Sequence, residues 1–189
     1  MTGSTHDDGG WTGSDGREVP QAITPTDDTT TAAPDELARR CAGVMWEDDV
    51  ASRELGMVLD SVSSGAATVS MVVRPDMANG HGTAHGGLIF ALADSAFAFA
   101  CNSYNERAVA QACDIVFTAP ARTGDRLVAT ATERHRFGRN GIYDVRITCG
   151  NRVIAEFRGR SRTIGGSIVE NPDSPRGAGA MNLDRKGHL

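Results

Sequence analysis

Apolar positions recur along the chain with two different periods, and the change from one to the other marks out its elements. Leu37, Cys41, Val44 and Met45 fall on one face at helical spacing. They predict an amphipathic helix from Pro34 to about Trp46, with proline near its first turn and Asp35 and Glu36 at its positive end. Residues 55–62 and 67–73 are strand-like and flank Ser63-Ser64-Gly65, which predicts a hairpin. After a loop over 77–84 comes GGLIFALADSAFAFAC, residues 86–101, where only Asp94 and Ser95 are polar; this is a buried helix. Four more strands are expected near 108–118, 126–135, 142–149 and 153–163, separated by Pro120, Gly124, Gly138, Asn140-Gly141 and Gly150-Asn151. The last alternates cleanly, with Val153, Ala155, Phe157 and Gly159 on one face and Glu156, Arg158, Arg160 and Arg162 on the other. Without β–α alternation a doubly wound parallel sheet does not fit. The order predicts an α+β fold in which an antiparallel sheet wraps around the central helix.

The 189 residues suit a single domain, and the formal charge of -5 at first argues against a nucleic-acid partner. That charge is unevenly spread. Residues 1–36 carry eight acids and one base, a net of -7, so the remainder is at +2. Residues 1–33 are rich in Thr, Asp, Gly and Ser and are expected to form a disordered acidic tail, with the domain over 34–166 and a flexible tail over 167–189. Cys41, Cys101, Cys113 and Cys149 form no CxxC pair and read as reduced, buried thiols. The opening residues lack a basic, then apolar, leader and no run spans a bilayer, so a cytoplasmic protein with no membrane partner is expected.

Chemistry concentrates in Asn79-Gly80-His81-Gly82-Thr83-Ala84-His85-Gly86-Gly87 and the helix that follows. Asp94 interrupts an apolar helix, where an unpaired carboxylate costs several kcal/mol; taken alone, it is more simply an acid satisfied by a neighbour or facing solvent. The loop shifts that balance. Gly86 and Gly87 stand where the helix begins, and free backbone N–H groups there make a donor-rich pocket for an oxyanion, which glycine lets a substrate approach. Eight residues separate Gly86 from Asp94, about 12 Å of helix. One acyl group can hardly touch both in one chain, so the site is expected to combine the Gly86 amide of one subunit with Asp94 of another. His81 and His85 lack a third ligand for zinc, the Gly80-x-Gly82 run fails as a dinucleotide fingerprint, and there is no GxSxG elbow or Walker lysine.

HGTAHGGLIFALADSAFAFACNSYN, followed by VAQACDIVFTAP, GDRLVATA, GRNGIYDVRI and AEFRGRSRTIGG, resembles the PaaI-type thioesterases of phenylacetate degradation, within the hotdog-fold acyl-CoA thioesterase superfamily. The match covers about residues 36–166. It implies a hotdog fold, dimers that pair into a homotetramer, and hydrolysis of arylacetyl-CoA thioesters such as hydroxyphenylacetyl-CoA. It also implies no metal and no cofactor beyond the coenzyme A of the substrate. By this resemblance Asp94 is the catalytic acid, as general base or as nucleophile, and Gly86 the oxyanion donor. Asn79 positions the thioester or the attacking water, and His85 orients the turn. A hydroxyl that some relatives carry on the next strand is missing from Val109-Ala110-Gln111, leaving Gln111 as a stand-in. For coenzyme A, residues 134–162 hold eight arginines against Asp144 and Glu156, a net of +6. Arg158, Arg160 and the Arg139-Asn140-Gly141 turn are its expected contacts, together with Gly87 at the helix start, although any one arginine taken alone is better read as a solvated strand residue. Other possibilities are a non-catalytic acyl-CoA-binding module and a hotdog hydratase or dehydratase; the latter would want a His–acid pair, and His85 has no evident acid.

Overall fold

The computed structural model describes residues 29–170, with side chains from Ala33 onward. Alternation along the strands builds the core. The strands are β1 (Met57–Ser63), β2 (Ala66–Val72), β3 (Ala108–Phe117), β4 (Arg126–Phe137), β5 (Asn140–Cys149) and β6 (Arg152–Thr163). They form one antiparallel sheet in the order β1-β2-β4-β5-β6-β3. Registers pair inward residues with one another: Val69 with Ala129, Met71 with Leu127, Val145 with Phe157 and Tyr143 with Gly159. This inner face wraps the apolar helix expected from the sequence, which runs from Gly86 to Cys101. Leu92, Phe97 and Phe99 of that helix are buried against Val69, Leu127, Tyr143 and Ile147. Small residues set the distance between layers: a Cβ on Gly159 would lie 2.8 Å from three atoms of the Phe97 ring.

Two helices precede the sheet. α1 (Thr29–Asp48) lies along β1, and α2 (Val50–Glu54) is a short helix the apolar pattern did not single out. Asp49 caps α2 by accepting the Ser52 N–H, and the Ser52 hydroxyl bonds that of Ser95 at 2.8 Å, tying α2 to the central helix, α3. α1 begins five residues before Pro34, so Thr29–Ala33 are helical rather than part of a tail. The second boundary also moves. Ser167–Glu170 follow β6 back across the molecule to Asn105, a left-handed residue (φ 60°) whose Oδ1 accepts the N–H groups of Ile168 and Val169 and whose Nδ2 donates to the Val169 carbonyl. Val169 is buried there, and the same Asn105 Oδ1 faces the Cys41 thiol of α1. The rest of both expected tails, residues 1–28 and 171–189, lies outside the described residues. No helix among the described residues is long and apolar enough to cross a membrane.

Candidate active site

The entrance to α3 is built by backbone bonds. The Ala84 N–H reaches the Ala121 carbonyl at 2.8 Å and the His85 N–H reaches the Met77 carbonyl at 2.9 Å. These bonds fix the incoming loop between a 3₁₀ turn (Pro75–Met77) and the segment after β3. Inside the loop, Asn79 Oδ1 accepts the N–H groups of His81 (2.9 Å) and Thr83 (3.3 Å) and the Thr83 hydroxyl (3.2 Å). The chain closes there through Gly82 at φ 71°, a left-handed conformation that glycine adopts without strain. The Asn79 amide nitrogen is left without an acceptor among the described residues.

His85 is the N-cap of α3: its Nδ1 accepts the Gly87 N–H at 3.0 Å. This ties His85 to the turn into α3, and it leaves the Gly87 N–H bonded within the chain. Leu88 and Ile89 are bonded to the His85 carbonyl. Of the first helical N–H groups, that of Gly86 is without an acceptor among the described residues, as an oxyanion donor must be. It opens into a cleft of about 380 Å³ lined by Asn79, Gly86, Ile89, Phe117 and Pro120. The Phe117 ring reaches over the glycine, its Cζ 3.1 Å from where a Cβ on Gly86 would sit.

Asp94 is half-buried and makes no hydrogen bond or ion pair among the described residues. Burial alone pushes its carboxyl above the ordinary aspartate range. Its charge is felt by the thiols of Cys101 and Cys113; that of Cys101 is pushed up to about 12, chiefly by burial, with Asp94 adding to it. Cys41 and Cys101 are buried as expected, whereas Cys113 and Cys149 are only partly covered, and all four are free. Asp94 does not line the Gly86 cleft. β3 measures the gap independently. Phe117 touches Gly86 and Cys113 lies near Asp94, and four strand residues span about 13 Å, the same as eight helical ones at about 12 Å. A larger groove of about 450 Å³ between α1 and β1 holds neither group.

The arginines expected to meet coenzyme A are not at this cleft in the same chain. Arg158 donates to both carboxylate oxygens of Asp144 (2.7 and 2.9 Å), which Arg134 also reaches. Arg160 pairs with Asp114 at 3.2 Å and Arg146 with Glu156 at 2.7 Å. All stand on the face of the sheet turned away from α3, where ion pairs across neighbouring strands absorb the local positive charge. Arg139 donates twice to the Thr163 carbonyl and so anchors the β4–β5 turn to β6. Asn140 opens β5 opposite Arg162. Gly141 is a packing residue, since a Cβ there would lie 2.7 Å from the Tyr143 ring. Gln111 is the residue bulged out of the β3–β6 register between Ala110 and Ala112, and it is exposed. Spacing and motif do not single out Phe117, Ile89 or Pro120 as site residues. The one hint is an aromatic residue closing a strand directly before a proline turn.

β3 is an edge strand ten residues long, and Val109, Val116 and Phe117 on it are 47%, 61% and 49% exposed. A long apolar edge of this kind is a template for pairing with another strand.

Comparison with known proteins places these features. The family model of the Thioesterase superfamily matches residues 81–156. The acyl-coenzyme A thioesterase PaaI of Escherichia coli K12 is 46% identical over 129 residues, covering 68% of this chain and 92% of that protein. The structure of the E. coli PaaI protein, from the phenylacetic acid degradation operon, superposes with a TM-score of 0.70 at 43% identity, over 71% of this chain and 99% of that one. A mutant of the phenylacetic acid degradation protein PaaI from Thermus thermophilus matches with a TM-score of 0.58 at 36% identity, over 60% and 97% of the two chains.

Proposed function

The chain belongs to the Thioesterase superfamily, in the branch of the PaaI thioesterases, and from that membership we propose that it hydrolyses arylacetyl-CoA thioesters to the free acid and coenzyme A. One observation carries the chemistry: the apolar helix holds a backbone donor and a carboxylate, Gly86 and Asp94, both without partners among the described residues and too far apart to serve one substrate in one chain.

The thioester oxygen accepts the Gly86 N–H, and Asn79 Nδ2 donates to the substrate or to the attacking water. Asp94 takes a proton from that water as its oxygen bonds to the carbonyl carbon. The oxyanion then collapses, the C–S bond breaks, and the departing thiolate receives the proton that Asp94 holds. If Asp94 instead attacks the carbonyl carbon, a mixed anhydride forms and water cleaves it; a single turnover in ¹⁸O water puts label into Asp94 only by that route.

The β3 edge supplies the second chain. Antiparallel pairing of β3 with its copy brings Asp94 to the partner's Gly86 when Cys113 stands opposite Phe117 of the partner subunit, which puts Ile115 on the two-fold axis. A dimer then holds two sites, each made from both subunits, and such dimers pair into tetramers. Coenzyme A enters as part of the substrate, and the protein works in the cytoplasm without a nucleic-acid partner.

Thiol release from an acyl-CoA panel tests the assignment. Asp94→Asn is expected to lose about 10²–10⁴-fold in kcat; unchanged turnover removes Asp94 from the mechanism. Co-expression of Asp94→Ala with Gly86→Pro tests the shared site. Random pairing makes half the dimers mixed, each with one intact site of two, so roughly a quarter of wild-type activity returns. No recovery in proven mixed dimers means that the site lies within one chain.

A further inference from the structure

We propose that Phe117 selects the acyl group: its ring is the surface on which the aromatic ring of an arylacetyl thioester stacks while Gly86 holds the thioester oxygen. The proposal rests on the thioesterase reading above, which places Phe117 in the β3 register between subunits, and extends it by giving that side chain a contact with the substrate.

The chain has six phenylalanines. Five have an aromatic neighbour. Phe99 packs on Trp46, Phe90 and Phe97 both pack on Phe157, and Phe137 stacks on His135 at 5.5 Å. Phe117 has no ring partner among the described residues and is half-exposed, yet it is not loosely placed. It closes β3, it lines the Gly86 cleft, and three of its ring carbons stand within 3.1–3.6 Å of the position a Cβ on Gly86 would take. A large apolar ring held in that way beside a helix-start N–H offers a flat apolar face to an acyl group bound at that N–H.

Distance fits the occupant. An arylacetyl ring hangs one methylene from the carbonyl carbon. With the carbonyl oxygen on the Gly86 N–H, it comes within reach of the window of about 4.5–7 Å between centroids that offset or edge-to-face aromatic pairs prefer. A saturated ring of the same size fills that space without the quadrupole interaction, so the predicted preference is for aromaticity and not for bulk. Ile89 and Pro120 close the cleft with apolar surface and offer no competing aromatic partner.

The test compares phenylacetyl-CoA with cyclohexylacetyl-CoA. The ratio of their kcat/KM values is measured for the wild type, Phe117→Leu and Phe117→Tyr, with the oligomeric state of each followed by size-exclusion chromatography. Phe117→Leu is expected to lower the ratio about 3- to 10-fold, and Phe117→Tyr, which keeps the ring, to preserve it. An equal loss on both substrates overturns the proposal and makes Phe117 a packing or interface residue; an unchanged ratio overturns it as well. Should the leucine variant fail to assemble, Phe117→Met, closer in length, decides by the same ratio. Wild-type protein that releases thiol from neither substrate defeats the thioesterase reading itself, and that result is seen before any substitution is made.

Discussion

Replacing Gly86 with proline removes a single N–H from the molecule. His85, the residue before it, has φ -64° and ψ 128°, which is the extended conformation that a following proline requires. Position 86 is the first of the helix, where proline is welcome because no intrahelical partner awaits its nitrogen. The fold is therefore expected to survive, with a melting temperature within about 2 °C of wild type. What proline shares with any larger residue is a Cβ, 3.1 Å from Phe117 Cζ. Gly86→Ala controls for this, since it adds the same carbon and keeps the N–H. If a misplacement of 1 Å costs about 10²-fold, the few tenths of an ångström by which the ring must yield cost about 3- to 5-fold in the alanine variant. Loss of one oxyanion donor costs about 10²–10³-fold in kcat, or 2.7–4 kcal/mol, in the proline variant. Thiol release from phenylacetyl-CoA gives kcat and KM separately, and circular dichroism gives helix content and melting temperature. If the folded proline variant turns over within about fivefold of the alanine variant, Gly86 N–H is not the oxyanion donor.

Asp94 lies above its ordinary value of 3.8 because burial disfavours its charge, so kcat/KM should fall on the acid side through a pKa higher than that of a free aspartate. The same burial makes the folded state bind the proton more tightly than the unfolded one. Asp94 therefore weakens the fold as pH rises through its raised pKa, and Asp94→Asn should melt above wild type at pH 7 but not below pH 3.8, a comparison made by scanning fluorimetry. Gly159→Ala drives a Cβ to 2.8 Å from the Phe97 ring, an overpacking cost of about 1–3 kcal/mol that lowers the melting temperature by roughly 3–10 °C. Phe97→Leu in the same chain should recover part of that loss. Arg158→Ala should leave KM for acyl-CoA within about twofold, because an exposed guanidinium held by Asp144 on the far face of the sheet contributes little to a ligand elsewhere. A tenfold rise would return that arginine to the substrate.

Periodicity carried most of the architecture because the two layers impose different periods. Val69 and Met71 can face the helix only if their neighbours face away, and Leu92, Ala96, Phe97 and Ala100 of α3 are apolar because they are buried under the sheet. The geometry of the loop was equally readable, since His85 caps α3 and Asn79 bonds the backbone of His81 and Thr83 over spacings that sequence preserves. The placement of the arginines away from the cleft of their own chain was not legible, for a physical reason. A count along residues 134–162 sees eight cations and two acids, but Arg136, Arg152 and Arg160 pair with Glu106, Asp125 and Asp114, which lie outside that stretch. Pairing across strands is invisible to a sum along one. Asn105 was missed likewise: its partners Ile168 and Val169 are more than sixty residues away and lie in a stretch with no period of its own.

The order β1-β2-β4-β5-β6-β3 also sets a timetable for synthesis. β3 emerges third, but β6, its neighbour within the chain, is the last strand made; Asp114 and Arg158, opposite each other in the ladder, are 44 residues apart. At about 5–20 residues per second the ribosome leaves β3 waiting roughly 2–9 s with both of its edges bare. Gln111 at the bulge and Asp114 interrupt an otherwise apolar ribbon during that interval, as gatekeeper positions do. Substitutions that weaken β6 should accordingly reduce yield of soluble protein during expression more than they reduce the turnover of the molecules that succeed in folding.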